Sequence, residues 1–289
     1  TATGQIFFTL SLGMGIICNY ASYLQPDEDI VTASVATVAL NEFAEVILAG
    51  TSVIPISYAF LGPEGIKGSI GLAFMALPNV FTTMAGGRIF GAVWFFLLFF
   101  AGFTSAIAMY NYLVALLEEE LGVQRKKGAL LIFVLYLIVG APIAAEGIIT
   151  GEANLIYFTE VDNWIGNYLL IVLGLLEVIT LAWLVRDDGL VEMNKGGLWH
   201  VPKWFYKLFH QFLTPICIIV FLGIFTRDYW IAGNFKITPS YINGIEYMAP
   251  WVNAARLVVV VVLIIGFIQT HRAIKRKYKD EIETNKANA

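Results

Sequence analysis

Seven apolar runs, each long enough to cross a lipid bilayer, constrain this chain more than any other feature. They lie at roughly 5–24, 31–61, 86–117, 128–146, 158–185, 205–226 and 247–270, and the densest stretch reads LVVVVVLIIGFI at 257–268. A helix of about 20 mostly apolar residues spans the roughly 30 Å hydrocarbon layer. In that layer each backbone amide and carbonyl needs a partner within the protein, which leaves helices and closed barrels. The runs do not alternate apolar with polar residues, so an outer-membrane barrel is excluded. Charged residues make up 14% of the 289, against about 25% in soluble domains. The chain is expected to be an all-α membrane protein with about seven transmembrane helices. Runs two and three exceed a straight crossing and should tilt, kink or extend into water.

The charges orient these spans. Thirteen of the 18 cations fall in segments on the C-terminal side, among them Arg125, Lys126, Lys127, Arg186, Lys203 and the tail. Four (Lys67, Arg88, Arg227 and Lys236) fall on the other side, and Arg256 lies inside the last run, where a snorkelling or surface-facing position is expected. The bias places the chain in the cell membrane with its C-terminus in the cytoplasm. The loop with Asp27, Glu28 and Asp29 runs against the trend, but acidic residues count little in this rule. The net charge of −4 offers no basic field to track phosphates, so no nucleic-acid partner is expected. The tail, 271–289, should fray in water. Segment 62–85 is too apolar for a solvated loop; it should fold back onto the protein, as a lid or as an ordinary packed connection. Cys18 and Cys217 sit in apolar runs without metal spacing and read as buried thiols. The first residues already enter a span, so the sequence looks like part of a longer protein.

Polar residues inside the runs carry the chemistry. In run one, Ser11-Leu12-Gly13-Met14-Gly15 sits at mid-span. Each glycine weakens a helix by about 1 kcal/mol relative to alanine. A helix broken at that depth is tolerated where it lines a cavity, and its half-helix ends face ions and charged substrates; the alternative is that Gly13 and Gly15 only permit close helix packing. In run two, Asn41 and Glu45 are four apart and share a helix face. An amide oxygen beside a carboxylate suits Na⁺, or a proton held on Glu45; a polar interhelical contact is the plainer reading, and Glu42 points elsewhere. In run three, Ala101, Thr104 and Ser105 again share a face. They could give half a sodium shell, although such hydroxyls commonly bond the carbonyl one turn back. Met109 continues that wall. Asp162 lies near the external mouth, as a gate or as a helix-start anion. Glu177 lies deeper and requires a neutralising partner. His200, His210 and His271 form no metal spacing, and neither a nucleophile–base pair nor a phosphate-binding glycine motif is present, so no enzyme activity is expected.

GQIFFTLSLGMGIICNYASYL, LNEFAEVILAG, WFFLLFFAGFTSAIA, the Asp162-Asn163-Trp164 step and NKGGLWHVPKWFYKLFHQFLTP follow one another in this order. Together they resemble the C-terminal half of a neurotransmitter:sodium symporter, most of all its leucine-transporter-like bacterial amino-acid transporters, over about 1–270. The resemblance implies that 1–185 is the second of two inverted five-helix repeats, with its first helix unwound. Two additional helices would occupy 186–270, ahead of a charged cytoplasmic tail at 271–289. It implies sodium-coupled symport of an amino acid, with two Na⁺ sites that are each incomplete in this chain. Thr9 and Asn41 match ligands of the first site; Ala101 (by its carbonyl), Thr104 and Ser105 match the second. Phe8 matches the aromatic that closes over the substrate, and Ser11, Met14, Ser105 and Met109 match the pocket wall. Asp162 matches the external gate acid. The first five helices of the same protein, a required partner of these residues, would be missing.

Two departures matter. Where animal members have a small hydroxyl beside bound chloride, this chain has Glu45, with Gln5 as a neighbour of that site. A carboxylate there implies chloride-independent transport, and a proton carried on Glu45 when the empty carrier returns. Met14 stands where phenylalanine is frequent, and with Met109 it gives a deformable wall. A neutral, bulky apolar or aromatic amino acid is the expected substrate. The competing reading is a membrane channel or structural subunit without coupled transport.

Overall fold

The computed structural model of the protein describes residues 2–63, 72–151, 155–197, 199–239, 242 and 248–279. The regular secondary structure among these residues is all helical, with no strand. The first run is not one helix. It forms α1 (Ala2–Thr9) and α2 (Ile16–Ala21), with 10–15 between them in turns. Next come α3 (Ile30–Glu42), the π-helical stretch Phe43–Ala49 and α4 (Gly50–Leu61), which carries Pro55 inside it. A π stretch at Leu72–Ala76 leads into α5 (Leu77–Thr83), followed by the long α6 (Gly87–Glu119) and α7 (Arg125–Thr150). The fifth run is composite: α8 (Ile156–Val161), a π stretch at Asp162–Leu169, α9 (Leu170–Ile179) and another π stretch at Thr180–Val185. The remaining helices are α10 (Asp187–Met193), α11 (Lys203–Tyr206), the π stretch Lys207–Leu213 with α12 (Thr214–Ile231), and α13 (Ala249–Lys277).

Among the described residues, six continuous helical stretches are long and apolar enough to cross a membrane: Ile30–Ala59, Gly87–Glu119, Arg125–Thr150, Ile156–Val185, Lys203–Ile231 and Ala249–Lys277. The first run, expected as a further span, stands apart from these as two short helices. Large apolar side chains stand exposed along them, for example Leu130, Ile138, Leu257 and Phe267. That exposure fits helices whose solvent is lipid rather than water. Both cysteines are likewise exposed, which corrects the expectation of buried thiols. A weakly polar thiol costs little on a lipid-facing helix, so lying in an apolar run did not imply burial.

The chain divides into two compact units. One contains Thr1–Gln25, Tyr110–Glu192 and His200–Ala289; the other contains Pro26–Met109 and Met193–Trp199. In the first, Phe7, Leu170, Ile171 and Ile218 form a buried cluster joining α1, α9 and α12, with Leu12 and Met14 packed on it. A second cluster joins Ile156, Ile242, Met248 and Val252. The last helix does not end at 271. It runs to Lys277, because Lys275, Arg276 and Lys277 complement the negative end of its dipole. Lys277 also reaches Glu120 at 3.0 Å.

In the second unit, Asp29 caps α3 by accepting the Thr32 amide at 3.0 Å. The acidic loop therefore has a local structural role. Gly196, at φ 67°, lets the 193–199 segment approach that loop so closely that a Cβ would lie 1.7 Å from the Asp27 carbonyl oxygen. Segment 62–85 folds back as expected over the part that is described: α5 packs on α4, with Leu77 and Val80 buried. Residues 64–71 lie outside the described residues.

Candidate functional site

The break in the first run is built by three left-handed residues, Ser11 (φ 54°), Gly13 (φ 74°) and Gly15 (φ 70°). α1 ends in a Schellman turn: the Ser11 amide donates to the Phe8 carbonyl at 3.0 Å and the Leu12 amide to the Phe7 carbonyl at 2.9 Å. Glycine is the usual residue at the left-handed position of this turn, and serine is strained there. Such strain gathers at functional sites. The two glycines are also required by their surroundings. A Cβ on Gly13 would lie 2.7 Å from the Leu170 carbonyl oxygen, and one on Gly15 would lie 2.3 Å from the Tyr112 hydroxyl. Gly174 on α9 is tight for the same reason, with the Phe7 ring 2.3 Å from where its Cβ would be. The break and α9 are therefore fitted to each other.

At the centre of that fit, the Gly13 amide donates to Glu177 Oε2 at 2.9 Å. This is the partner that the sequence required for Glu177 and could not name, since 164 residues separate the two. A carboxylate on the freed amide satisfies a backbone group that the interrupted helix cannot.

The other residues expected at the site divide between the two units. Phe8, Thr9, Ser11, Met14 and Asp162 lie in the first; Asn41, Glu45, Ala101, Thr104, Ser105 and Met109 lie in the second. Phe8 is 46% exposed, whereas Phe7 beside it is buried at 9%. Met14 packs on the Phe7 cluster. The side chain of Gln5 lies outside the described residues.

In the second unit, Asn41, Glu42 and Glu45 are half-buried on a helix whose neighbours Phe43, Ala44 and Val46 are exposed. The shift to π geometry at Phe43 comes directly after Asn41 and Glu42, and π turns gather at functional sites. Ala101, Thr104 and Ser105 stand exposed on α6, with Met109 half-buried beyond them. The Thr104 hydroxyl donates to the Phe100 carbonyl at 3.0 Å and the Ala101 carbonyl at 3.1 Å, the back-bonding anticipated as the plainer alternative. The Thr104 oxygen lone pairs remain compatible with a cation, whereas the Ala101 carbonyl accepts both the Thr104 hydroxyl and, within α6, the backbone amide one turn on.

Asp162 opens the π stretch that follows α8. Its carboxylate accepts from Asn167 Nδ2 at 3.2 Å and lies over Gly166, where a Cβ would be 2.3 Å from Oδ1. Two residues earlier, Glu160 is buried and accepts from Arg256 Nε at 2.5 Å and from Trp164 Nε1 at 2.8 Å. Arg256 is half-buried, its side chain 20% exposed, and beyond the snorkelling or surface-facing position expected of it the buried Glu160 carboxylate gives it an ion-pair partner. Sequence reading missed Glu160 and Glu146 as well; the only available signal was the presence of carboxylates at the edges of apolar runs.

Known proteins place this arrangement. The family model described as the sodium:neurotransmitter symporter family matches residues 1–275. An uncharacterized sodium-dependent transporter of Methanocaldococcus jannaschii is 34% identical over 251 residues, covering 82% of this chain and 49% of that protein. An uncharacterized sodium-dependent transporter of Bacillus subtilis is 30% identical over 231 residues, 77% of this chain and 50% of its own length. A sodium-dependent nutrient amino acid transporter of Drosophila virilis is 24% identical over 276 residues, 87% of this chain and 39% of its own. The chain thus spans about half the length of the microbial relatives it matches. A family match over nearly the whole chain, on a set of membrane-length helices whose first is interrupted at Ser11–Gly15, leads to one conclusion: the chain belongs to the sodium:neurotransmitter symporter family.

Proposed function

We propose that the intact protein couples the inward sodium gradient to uptake of a neutral amino acid across the cell membrane, with the C-terminus of this chain in the cytoplasm. One observation carries the reading: the first helix is interrupted at mid-span, with Glu177 holding the Gly13 amide. Interrupted helices place half-helix termini and bare backbone at membrane depth, where an ion and a charged substrate need them. The name of the Drosophila relative supports an amino acid as the substrate.

In this reading Thr9 and Asn41 ligate one sodium ion, which the substrate carboxylate completes. Ala101, Thr104 and Ser105 ligate a second. These assignments rest on the resemblance of the sequence segments. Phe8, Ser11, Met14, Ser105 and Met109 line the substrate, and Glu45, with Gln5 near it, supplies the negative charge that makes chloride unnecessary. Residues outside this chain, in the remaining half of a full-length transporter, supply the other ligands. The two methionines, Met14 and Met109, favour a bulky apolar or aromatic amino acid.

The test is uptake of labelled amino acids into proteoliposomes by the full-length protein, with inward Na⁺ or K⁺ gradients of equal size. Saturable uptake that requires Na⁺, persists without chloride and is competed best by bulky apolar amino acids is the expected result. Uptake indifferent to Na⁺, or non-saturable flux, overturns coupled symport in favour of a channel.

A further inference from the structure

The ion pair Glu160–Arg256 joins a buried carboxylate to a half-buried guanidinium, and both groups carry further hydrogen bonds. Glu160 lies on α8, a helix of 6 residues that ends immediately before Asp162. Both ends of α8 are gripped. At its start, Glu146 of α7 accepts the Ile156 amide at 2.7 Å through Oε1 and the Tyr157 amide at 2.8 Å through Oε2. The Tyr157 hydroxyl donates to the Val139 carbonyl at 3.1 Å. At its end, the Glu160 side chain, 2% exposed, receives Arg256 Nε and Trp164 Nε1. The other two guanidinium nitrogens of Arg256 are also committed: Nη1 donates to the Lys236 carbonyl at 2.6 Å and Nη2 to the Asn234 carbonyl at 2.8 Å. A planar fork of fixed donors thus ties α8, α13 and the 234–236 segment together. Asp162 differs from Glu146 and Glu160: it is exposed, and its carboxylate accepts a hydrogen bond from Asn167 Nδ2.

We infer that Arg256 is a positioning residue for Asp162: through Glu160 it locks α8, so that the carboxylate two residues on is presented at a fixed place while its own side chain stays free to exchange Asn167 for a cation. The inference rests on the proposed gate role of Asp162. It makes the last helix, which supplies no expected sodium or substrate ligand, part of the external gate. Removing the fork should move the gate acid without disturbing the sodium ligands. The cost should fall on capture of external substrate rather than on turnover.

The experiment uses the full-length protein in proteoliposomes with saturating Na⁺, and measures KM and kcat for external amino acid. The variants are Arg256→Lys, the charge-free pair Glu160→Gln with Arg256→Gln, Asp162→Asn, and Asp162→Asn combined with each. Arg256→Lys keeps the charge and loses the fork. The charge-free pair removes any unpaired buried charge, so it reports even where Arg256→Lys fails to accumulate. The expected result is a KM raised about five- to tenfold in both, since small displacements of a positioned group are costly, with kcat within about twofold of the parent. In the Asp162→Asn background, neither change should raise KM further, because both act through the same carboxylate. A parent-like KM in the charge-free pair, or effects that multiply with Asp162→Asn, overturns the inference and leaves a purely structural ion pair. A parent protein without sodium-dependent uptake is a different failure, and it removes the proposed function and the gate with it.

Discussion

Glu177 and the glycines around it give the sharpest expectations at the scale of single residues. The Gly13 amide has a carboxylate where a helix would have supplied a carbonyl. Glu177→Leu leaves that amide unpaired, and an unsatisfied buried donor costs about 1–3 kcal/mol. Thermal unfolding of the purified protein should show that loss, while Glu177→Gln, which keeps an acceptor, should retain most of the stability. Gly15→Ala places a methyl group 2.3 Å from the Tyr112 hydroxyl at a φ of +70°. It should abolish uptake even where the protein still accumulates in the membrane, measured as transport per tagged molecule. Glu45→Ser should create a chloride requirement; uptake unaffected by either the substitution or the anion would count against the charge-substitution role of Glu45. A break at Ser11, Gly13 and Gly15 was one of the two readings the sequence left open, the other being close helix packing. The bond from Gly13 to Glu177 was not legible, because it depends on how two helices separated by 164 positions are packed. The partner of Arg256 was not legible for the same reason: its carboxylate lies 96 positions away.

Composition was a reliable guide to which elements exist and a poor guide to their interior geometry. All six long spans appear where apolar runs were read, since length and hydropathy decide them. The break between α1 and α2 falls on the residues expected to cause it. The π stretches at Phe43–Ala49 and Asp162–Leu169 were not anticipated. A π turn is one residue wider than an α turn and carries no residue type of its own. Its presence shifts which side chains share a face, so the four-residue spacing of Asn41 and Glu45 is a weaker guide to a common face than a regular helix would make it. α13 outlasted the expected boundary at 271 because cations that favour solvent also favour a helix C-terminus. At this scale the Schellman turn offers a clean test. Ser11→Gly relieves a left-handed serine and should stabilise the protein by about 1 kcal/mol, read as a higher unfolding temperature. Weaker amino-acid binding in the same variant would show that the Ser11 hydroxyl also touches substrate.

The chain spans about half the length of the microbial relatives it matches, and its candidate ligands are spread over two units. Family membership follows from the match over 1–275, and the sequence segments were specific enough to anticipate it. Orientation rests on the excess of cations near the C-terminus. A cysteine introduced as Lys275→Cys, with Cys18 and Cys217 replaced by serine, should react with an impermeant maleimide in intact cells only after permeabilisation; labelling of sealed cells would reverse the proposed topology. The proposed coupling requires that the ion and the amino acid complete one another's coordination at an interrupted helix, so that neither crosses alone. The most direct measurement is uptake of radiolabelled sodium by proteoliposomes containing the full-length protein, with and without external amino acid. Sodium that enters only when amino acid is present, and in fixed proportion to it, is the predicted result. Sodium that enters equally well in its absence would contradict the account.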